Sequence, residues 1–296
     1  MDEYLKDKAR VAAAFDRAAR DYDSIAEFQR LVAERLLERL DYMRIAPGRI
    51  LDLGAGTGRA ARVLASRYPG AGIVESDLAF GMLRRQRGLG RWFNRRRAVC
   101  ADAESLPFTD GSFDLVFSSL MLQWCNDPAG VFAEVRRALH PGGLLIFSTL
   151  GPDTLRELRE SWAAADGDVH VNAFIDMHDL GDALMHAGFC EPVMETERFT
   201  LTYGDGRALM RDLKSLGARN ANAGRRRTLT GKARLEEMLR AYEKHRRDCR
   251  LPATYEVVYG HAWRAEVGAE PHREPGIAVV PVSAITRRGS RGGDGV

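Results

Sequence analysis

The sequence predicts a doubly wound α/β fold, a mostly parallel sheet with helices packed on both faces and a helical insertion late in the chain. Three observations carry this reading. Short apolar runs alternate with helix-spaced segments from residue 49 to residue 149, joined by short connections. The first run, Ile50 to Leu53, enters a turn with glycine at positions 54, 56 and 58. The second run ends on Asp77, 23 residues past Gly54. A sheet of this kind places its ligand beyond the carboxyl ends of the strands, where the strand order reverses.

Taken in order, residues 5–40 are expected to be helical, with Val11, Phe15, Ala18 and Tyr22, then Leu31, Leu36, Leu37 and Leu40, on apolar faces. A strand at 49–53 leads to a helix at 58–67 anchored by Ala60, Val63, Leu64 and Tyr68. A strand at 72–76 and a helix at 79–88 follow, then strands at 97–100 and 113–119 and a helix at 128–139. The turn His140-Pro-Gly-Gly143 introduces a strand at 143–149. Thereafter the rhythm changes: helices at 153–164 and 177–187, a strand at 192–203, two amphipathic helices at 205–217 and 231–247, and a last strand from Thr254 to Trp263. The two helices within 205–247 interrupt the alternation and are placed to cap the ligand crevice as a lid. Residues 1–264 form one domain on this reading. Residues 265–296 lack periodicity and are expected to be a disordered tail.

At 296 residues, with 45% hydrophobic and 29% charged, the chain has the composition of an ordinary soluble globule. No run of eighteen apolar residues predicts a membrane span, and the polar N-terminus lacks a signal segment, so a cytoplasmic protein without a membrane partner is expected. Cys100, Cys125, Cys190 and Cys249 are scattered without metal-ligand spacing and are expected to be reduced packing thiols; no metal site is predicted. The net charge of +3 conceals basic clusters at Arg84–Arg97, Arg225–Arg227 and Lys244–Arg250. Such clusters are either solvated or face an acidic macromolecule, a nucleic acid or a small acidic carrier protein.

The glycine turn narrows the chemistry. A G-x-G-x-x-G dinucleotide fingerprint would place glycine at 59, where this chain has Arg59, and no Gly-Lys-Ser/Thr follows for a phosphate-binding loop. A plain tight turn remains the alternative. The pattern Asp52-Leu-Gly-Ala-Gly-Thr-Gly58 resembles that of class I S-adenosylmethionine (SAM) methyltransferases. The resemblance implies a Rossmann-like sheet whose last strand runs antiparallel, with SAM bound along Gly54, Ala55, Gly56 and Gly58. Asp77 can accept the ribose hydroxyls, with Leu78 beside it, or can cap the helix that starts near Ala79. Asp102 fits the adenine amine, which needs an acceptor, with Ala103 adjacent. Asp52 braces the glycine loop or faces the methionine amino group. Ser118, at the end of the fourth strand, is expected at the cofactor.

Beyond the fourth strand, Ser118-Ser-Leu-Met-Leu-Gln-Trp-Cys-Asn-Asp127 puts Gln123 and Trp124 at the mouth of the methyl-donor pocket, or Trp124 into helix packing. Here the chain closely resembles the malonyl-[acyl-carrier protein] O-methyltransferases of biotin synthesis. The matching segments are Phe15-Asp-Arg-Ala-Ala-Arg-Asp-Tyr-Asp23, the Leu-Gln-Trp-Cys motif, Leu150-Gly-Pro-Asp-Thr-Leu-Arg-Glu-Leu158, Asp176-Met-His-Asp-Leu-Gly-Asp182, Ala187-Gly-Phe189, Leu216-Gly-Ala-Arg-Asn220 and Leu251 to Trp263. Glu75-Ser-Asp-Leu-Ala-Phe departs from the family's more apolar strand end.

The family implies transfer of a methyl group from SAM to the free carboxylate of a malonyl thioester on acyl carrier protein or on CoA. A carboxylate with a pKa near 4 is ionised at neutral pH and needs no general base. Tyr22, Gln123 and Trp124 are the expected substrate contacts, Tyr22 alternatively being a core tyrosine. A bidentate grip from Arg156, Arg211 or Arg219 suits the carboxylate. His178 and His261 are expected to be structural, and Asp153 and Asp176 to cap helices. The rival readings are a methyltransferase acting on another small molecule, such as a quinone precursor, and a SAM-responsive RNA-binding protein. RNA binding would call for aromatic residues among the basic clusters, and only Trp92 and Phe93 supply them, so no nucleic-acid partner is expected.

Overall fold

The structure is a computed structural model and describes residues 5–86, 96–217 and 231–266. Five parallel strands form its centre: β1 (Arg49–Leu53), β2 (Gly72–Asp77), β3 (Arg96–Cys100), β4 (Phe113–Ser119) and β5 (Leu139–Leu150). The late strands β6 (Phe189–Tyr203) and β7 (Leu251–Arg264) complete a seven-stranded sheet in the order β3-β2-β1-β4-β5-β7-β6. The last strand, β7, inserts antiparallel between β5 and β6. The order reverses between β1 and β4, so the crevice opens over the carboxyl end of β1, where the glycine turn lies.

Ile50, Leu51 and Leu53 of β1 are apolar on both faces of the sheet because both faces are covered. One face packs α3 (Glu27–Arg39), α4 (Arg59–Arg67), α7 (Arg156–Ala163), α9 (Gly206–Ser215) and α10 (Lys232–Glu243) around Leu36, Ile50, Leu64, Phe117 and Ile146. The other packs α6 (Pro128–Ala138) and α8 (Met177–His186) around Leu51, Val116, Phe132, Phe147 and Leu184. Asp127 caps α6 by accepting from the Gly130 amide at 2.9 Å, and Pro128 occupies the first helical turn. Asp176 caps α8 as expected, accepting from the His178 amide at 2.8 Å. Asp153 does not cap α7; it pairs with Arg198 at 2.7 Å, and Leu155, at φ 55°, precedes the helix.

The N-terminal helix is broken. Instead of one helix over 5–40 there are α1 (Lys8–Ala18), α2 (Tyr22–Ile25) and α3, separated by turns at Ala19–Asp21 and at Ala26. The break turns α1 across the strand ends, where it packs on α5 (Phe80–Arg85). β5 begins at Leu139, earlier than expected: the segment read as a turn pairs with β4 across a register shift at Phe113/Leu115, and Gly142 supplies φ 77° within it. Val63, expected as an apolar anchor of α4, is exposed. The thiols are all free, but only Cys125 is buried; Cys100 and Cys249 are exposed. No helix among the described residues is long and apolar enough to cross a membrane. The tail from residue 267 lies outside the described residues, as do Arg87, Arg91, Arg95, Arg219 and Arg225–Arg227.

One polar contact ties α7 to the sheet. Glu157, only 5% exposed, accepts from the Thr254 amide at 3.0 Å and the Thr254 hydroxyl at 2.5 Å. Replacing it with alanine leaves the Thr254 amide buried and unpaired, so Glu157→Ala is expected to lower unfolding stability by about 3 kcal/mol. Urea unfolding at constant m-value checks this, and a change below about 1 kcal/mol would show that the site relaxes.

Candidate active site

A cavity of about 940 Å³ opens over the carboxyl ends of β1, β2 and β4. Its floor is the glycine turn. The Ser76 carbonyl holds that turn to β2 by accepting from the Gly54 and Ala55 amides at 2.8 and 3.0 Å. Gly54 has φ 77°, and a Cβ there would stand 2.5 Å from Met121 Cβ, so backbone alone fits. Gly54, Ala55 and Gly56 border the cavity, and a Cβ on Gly56 would meet open space. Gly58 does not border it. This residue starts α4 with φ 74°, and a Cβ there would strike Glu75 and Arg96, so the third glycine answers close helix–sheet packing.

Asp77 borders the cavity and sits at the start of α5, where the sequence offers it as a helix cap or as an acceptor for ribose. One carboxylate oxygen accepts from the Gly56 amide and the other from the Ala79 amide, both at 2.8 Å, binding the glycine turn to the start of α5. Burial nevertheless raises its pKa, against the pull of those two amides. Each oxygen accepts one of these hydrogen bonds and keeps a second lone pair free, and Asp77 borders the cavity. Leu78 and Ala103 line the same wall. Asp102 also borders the cavity, but its oxygens are already engaged: Lys8 Nζ lies at 2.5 Å and the Glu104 amide at 3.0 Å. Ser118 is turned away. Its hydroxyl donates to the Leu53 carbonyl at 2.9 Å inside the sheet, and its neighbour Ser119 faces the cavity.

Asp52 lies at the cavity floor beside Glu75, its register partner on β2. Burial first, then the Glu75 charge, pushes its pKa up to about 8, and its Oδ2 has no hydrogen-bond partner among the described residues. Glu75 is itself held by Arg96 at 2.6 Å. Because the folded pKa lies above the unfolded value of 3.8, the folded protein binds a proton that the unfolded chain releases. Stability is full below the unfolded pKa and declines as pH rises towards 8, with a slope of at most about 1.4 kcal/mol per pH unit. The ligand-free protein is therefore expected to melt lower at pH 8 than at pH 5.5, and Asp52→Asn to remove most of that difference. Equal slopes for the two proteins in calorimetry would contradict the assignment.

The N-terminal segment covers the floor, fastened by several polar contacts. Lys8 pairs with Asp102 and, at 2.6 Å, with Glu104; Asp16 accepts from the Gly81 amide at 2.6 Å; Asp23 accepts from the Thr57 hydroxyl at 2.5 Å. The last contact lies next to Tyr22, which borders the cavity. Desolvation and the nearby Asp77 and Asp23 charges raise the Tyr22 pKa, so its hydroxyl stays protonated and can donate. Phe15 joins the wall, edge-on to Tyr22 at 6.4 Å and to Trp124 at 5.2 Å. Trp124 thus faces the cavity from a 3-10 turn, Leu122–Trp124, after β4. Gln123 also borders it while bracing the turn: its amide donates to the Leu120 carbonyl at 2.7 Å and accepts from Thr149 at 3.2 Å. That brace holds Leu120 at φ 51°.

Of the three arginine candidates, Arg211 borders the cavity. Arg156 does not, pairing instead with Asp153 and Glu157, and Arg219 is outside the described residues. His178 is exposed beside Asp176, and His261 sits half-buried in β7 away from the cavity. Residues that carry no motif in the sequence complete the far wall: Trp162, with His170 stacked on it at 3.7 Å, and Asn172, from the segment before α8.

The donor set fits SAM: an open glycine floor, a carboxylate with free lone pairs at the end of β2, and an unpartnered acidic oxygen at Asp52 suited to an ammonium. Residues 51–147 match the family model described as a methyltransferase domain. A SAM-dependent methyltransferase of Thermotoga maritima shares the fold with TM-score 0.51 and 19% identity, over 86% of this chain and 99% of that one. The YcgJ protein of Bacillus subtilis does so with TM-score 0.55 and 16% identity, over 78% and 98%. Curated relatives are far closer. The malonyl-[acyl-carrier protein] O-methyltransferase of Laribacter hongkongensis is 54% identical over 92% of this chain and 94% of its own length. Those of Gallionella capsiferriformans and Legionella pneumophila are 50% and 41% identical, over 89% and 94% of this chain and 93% and 98% of their own. With a methyl-donor crevice and relatives matched over nearly their whole length, the chain belongs to the malonyl-[acyl-carrier protein] O-methyltransferase family.

Proposed function

We propose that this protein methylates the free carboxylate of a malonyl thioester borne by an acyl carrier protein, using SAM, and so supplies a malonyl methyl ester for biotin synthesis. The observation that carries this reading is the identity to relatives of that name, 54% over 92% of the chain. When bound, SAM presents a sulfonium methyl group to an in-line nucleophile. The chain's residues do the rest. Asp77 takes the ribose hydroxyls, Gly54 to Gly56 the backbone contacts, Asp52 the amino group, and Asp102, Leu78 and Ala103 surround the base. The acceptor oxygen is already anionic, so the site has to orient it rather than deprotonate it.

Tyr22 donates a hydrogen bond to the malonyl carboxylate and aims its second oxygen at the methyl group. Gln123 keeps the turn after β4 in its strained form, which sets Trp124 against Phe15 as a wall. Those apolar walls exclude water, and the reaction gains from this because an anion and a cation neutralise one another in the transition state. The test is transfer of an isotopically labelled methyl group from SAM. Malonyl-loaded carrier is expected to take up one label per carrier and acetyl-loaded carrier none. Labelling of both, or of neither by protein shown to bind SAM, would overturn the reading.

A further inference from the structure

Helix α9 carries three cations on one stripe, Arg207, Arg211 and Lys214, spaced i, i+4 and i+7. All three are exposed on one side and border the cavity on the other, so they stand at its rim. None has a carboxylate partner among the described residues, although Asp212 lies on the same helix; Asp212 is taken by the Tyr203 hydroxyl at 2.7 Å. The opposite side of α9 is apolar, with Leu209 fully buried, so the helix is held by its core face and its basic face is left open.

Four described cations of the basic clusters conspicuous in the sequence are held by the protein itself, and no described cluster cation borders the cavity. Arg96 turns inward to Glu75, and Arg85 donates to the Arg20 carbonyl. Arg246 pairs with Glu243, and Arg250 donates to the Thr202 carbonyl. Inside the rim, two amides lining the cavity, Gln29 on α3 and Asn172, have buried oxygens without hydrogen-bond partners among the described residues. Both side chains border the cavity, and a buried amide oxygen without a partner calls for a hydrogen-bond donor.

We propose that the Arg207–Arg211–Lys214 face of α9 is where the carrier protein docks, its acidic surface and the phosphate of its thioester-bearing arm lying on these cations, with the arm's amides passing Gln29 and Asn172. The proposal rests on the function proposed above for its partner. It assigns the docking role to a surface built by spacing along one helix, not by a run of arginines. Unpaired charge at a cavity rim raises the encounter rate with an oppositely charged partner and makes it salt-dependent.

The test compares the full-length protein with a R207E/K214E double variant and a R207Q/R211Q/K214Q triple variant. SAM binding by calorimetry reports that each is folded. Fluorescently labelled malonyl-carrier, followed by anisotropy without turnover, is expected to bind the variants at least tenfold more weakly at low salt, and the loss of affinity with added salt is expected to flatten. In turnover, the KM for malonyl-carrier relative to that for malonyl-pantetheine, which lacks the acidic protein, is expected to rise at least tenfold. Unchanged carrier affinity and an unchanged salt slope in both variants would overturn the docking assignment. Because anisotropy needs no methylation, it tests docking even where labelled-methyl transfer shows that the functional reading has failed.

Discussion

Asp77→Ala is expected to weaken SAM binding by about 100- to 10,000-fold, because the two proposed hydrogen bonds from ribose hydroxyls to a charged acceptor are worth about 1.5–3 kcal/mol each. The same carboxylate holds the Gly56 and Ala79 amides, so its loss also frees the glycine turn from α5. Asp77→Asn retains one acceptor oxygen but turns an N–H₂ group towards one of those amides, and should fall between the alanine variant and the wild type. Calorimetric titration with SAM and with S-adenosylhomocysteine checks this directly. Affinities within about threefold of the wild type would show that the carboxylate only braces the loop.

Tyr22→Phe is expected to lower kcat by about 100-fold, the cost of removing one preorganised donor from a reacting oxygen. SAM affinity should change little, because the ring and its contact with Phe15 remain. A fall in SAM affinity with unchanged kcat would instead make Tyr22 part of the wall around the cofactor. Stopped-flow turnover with saturating SAM and carrier separates the two outcomes. The raised pKa of this hydroxyl further predicts that kcat shows no rising or falling limb from Tyr22 between pH 6 and pH 9.

How much of the fold and site is legible in the sequence follows from which forces act locally. The central strands are readable because parallel strands buried on both faces are rich in Val, Ile, Leu and Phe, as Ile50, Leu51 and Leu53 of β1 and Leu115, Val116 and Phe117 of β4 show. The glycine turn and Asp77 are readable because backbone that approaches a ligand closely, with φ above zero, tolerates few residue types. The break between α1 and α2 is not. Ala19-Arg20-Asp21 contains neither glycine nor proline, and the kink is held by distant partners such as Thr57 on Asp23. Ser118 shows how sensitive strand parity is. One residue along β4 changes the face, so Ser119 reaches the cavity and Ser118 the Leu53 carbonyl. Charge density misleads in the same manner. Arg96 lies in the densest basic stretch yet serves a buried Glu75, while the three cations of α9 are dispersed along the helix and meet only when wound into it.

The central claim is that the methyl group lands on a carboxylate oxygen. The most direct measurement is intact mass spectrometry of malonyl-loaded carrier after incubation with the protein and SAM, followed by mild alkali. The account predicts a gain of one methyl group that alkali releases as methanol, restoring the malonyl thioester mass or that of its hydrolysed carrier. A methyl group that survives alkali would place it on carbon or nitrogen and contradict the carboxylate as acceptor.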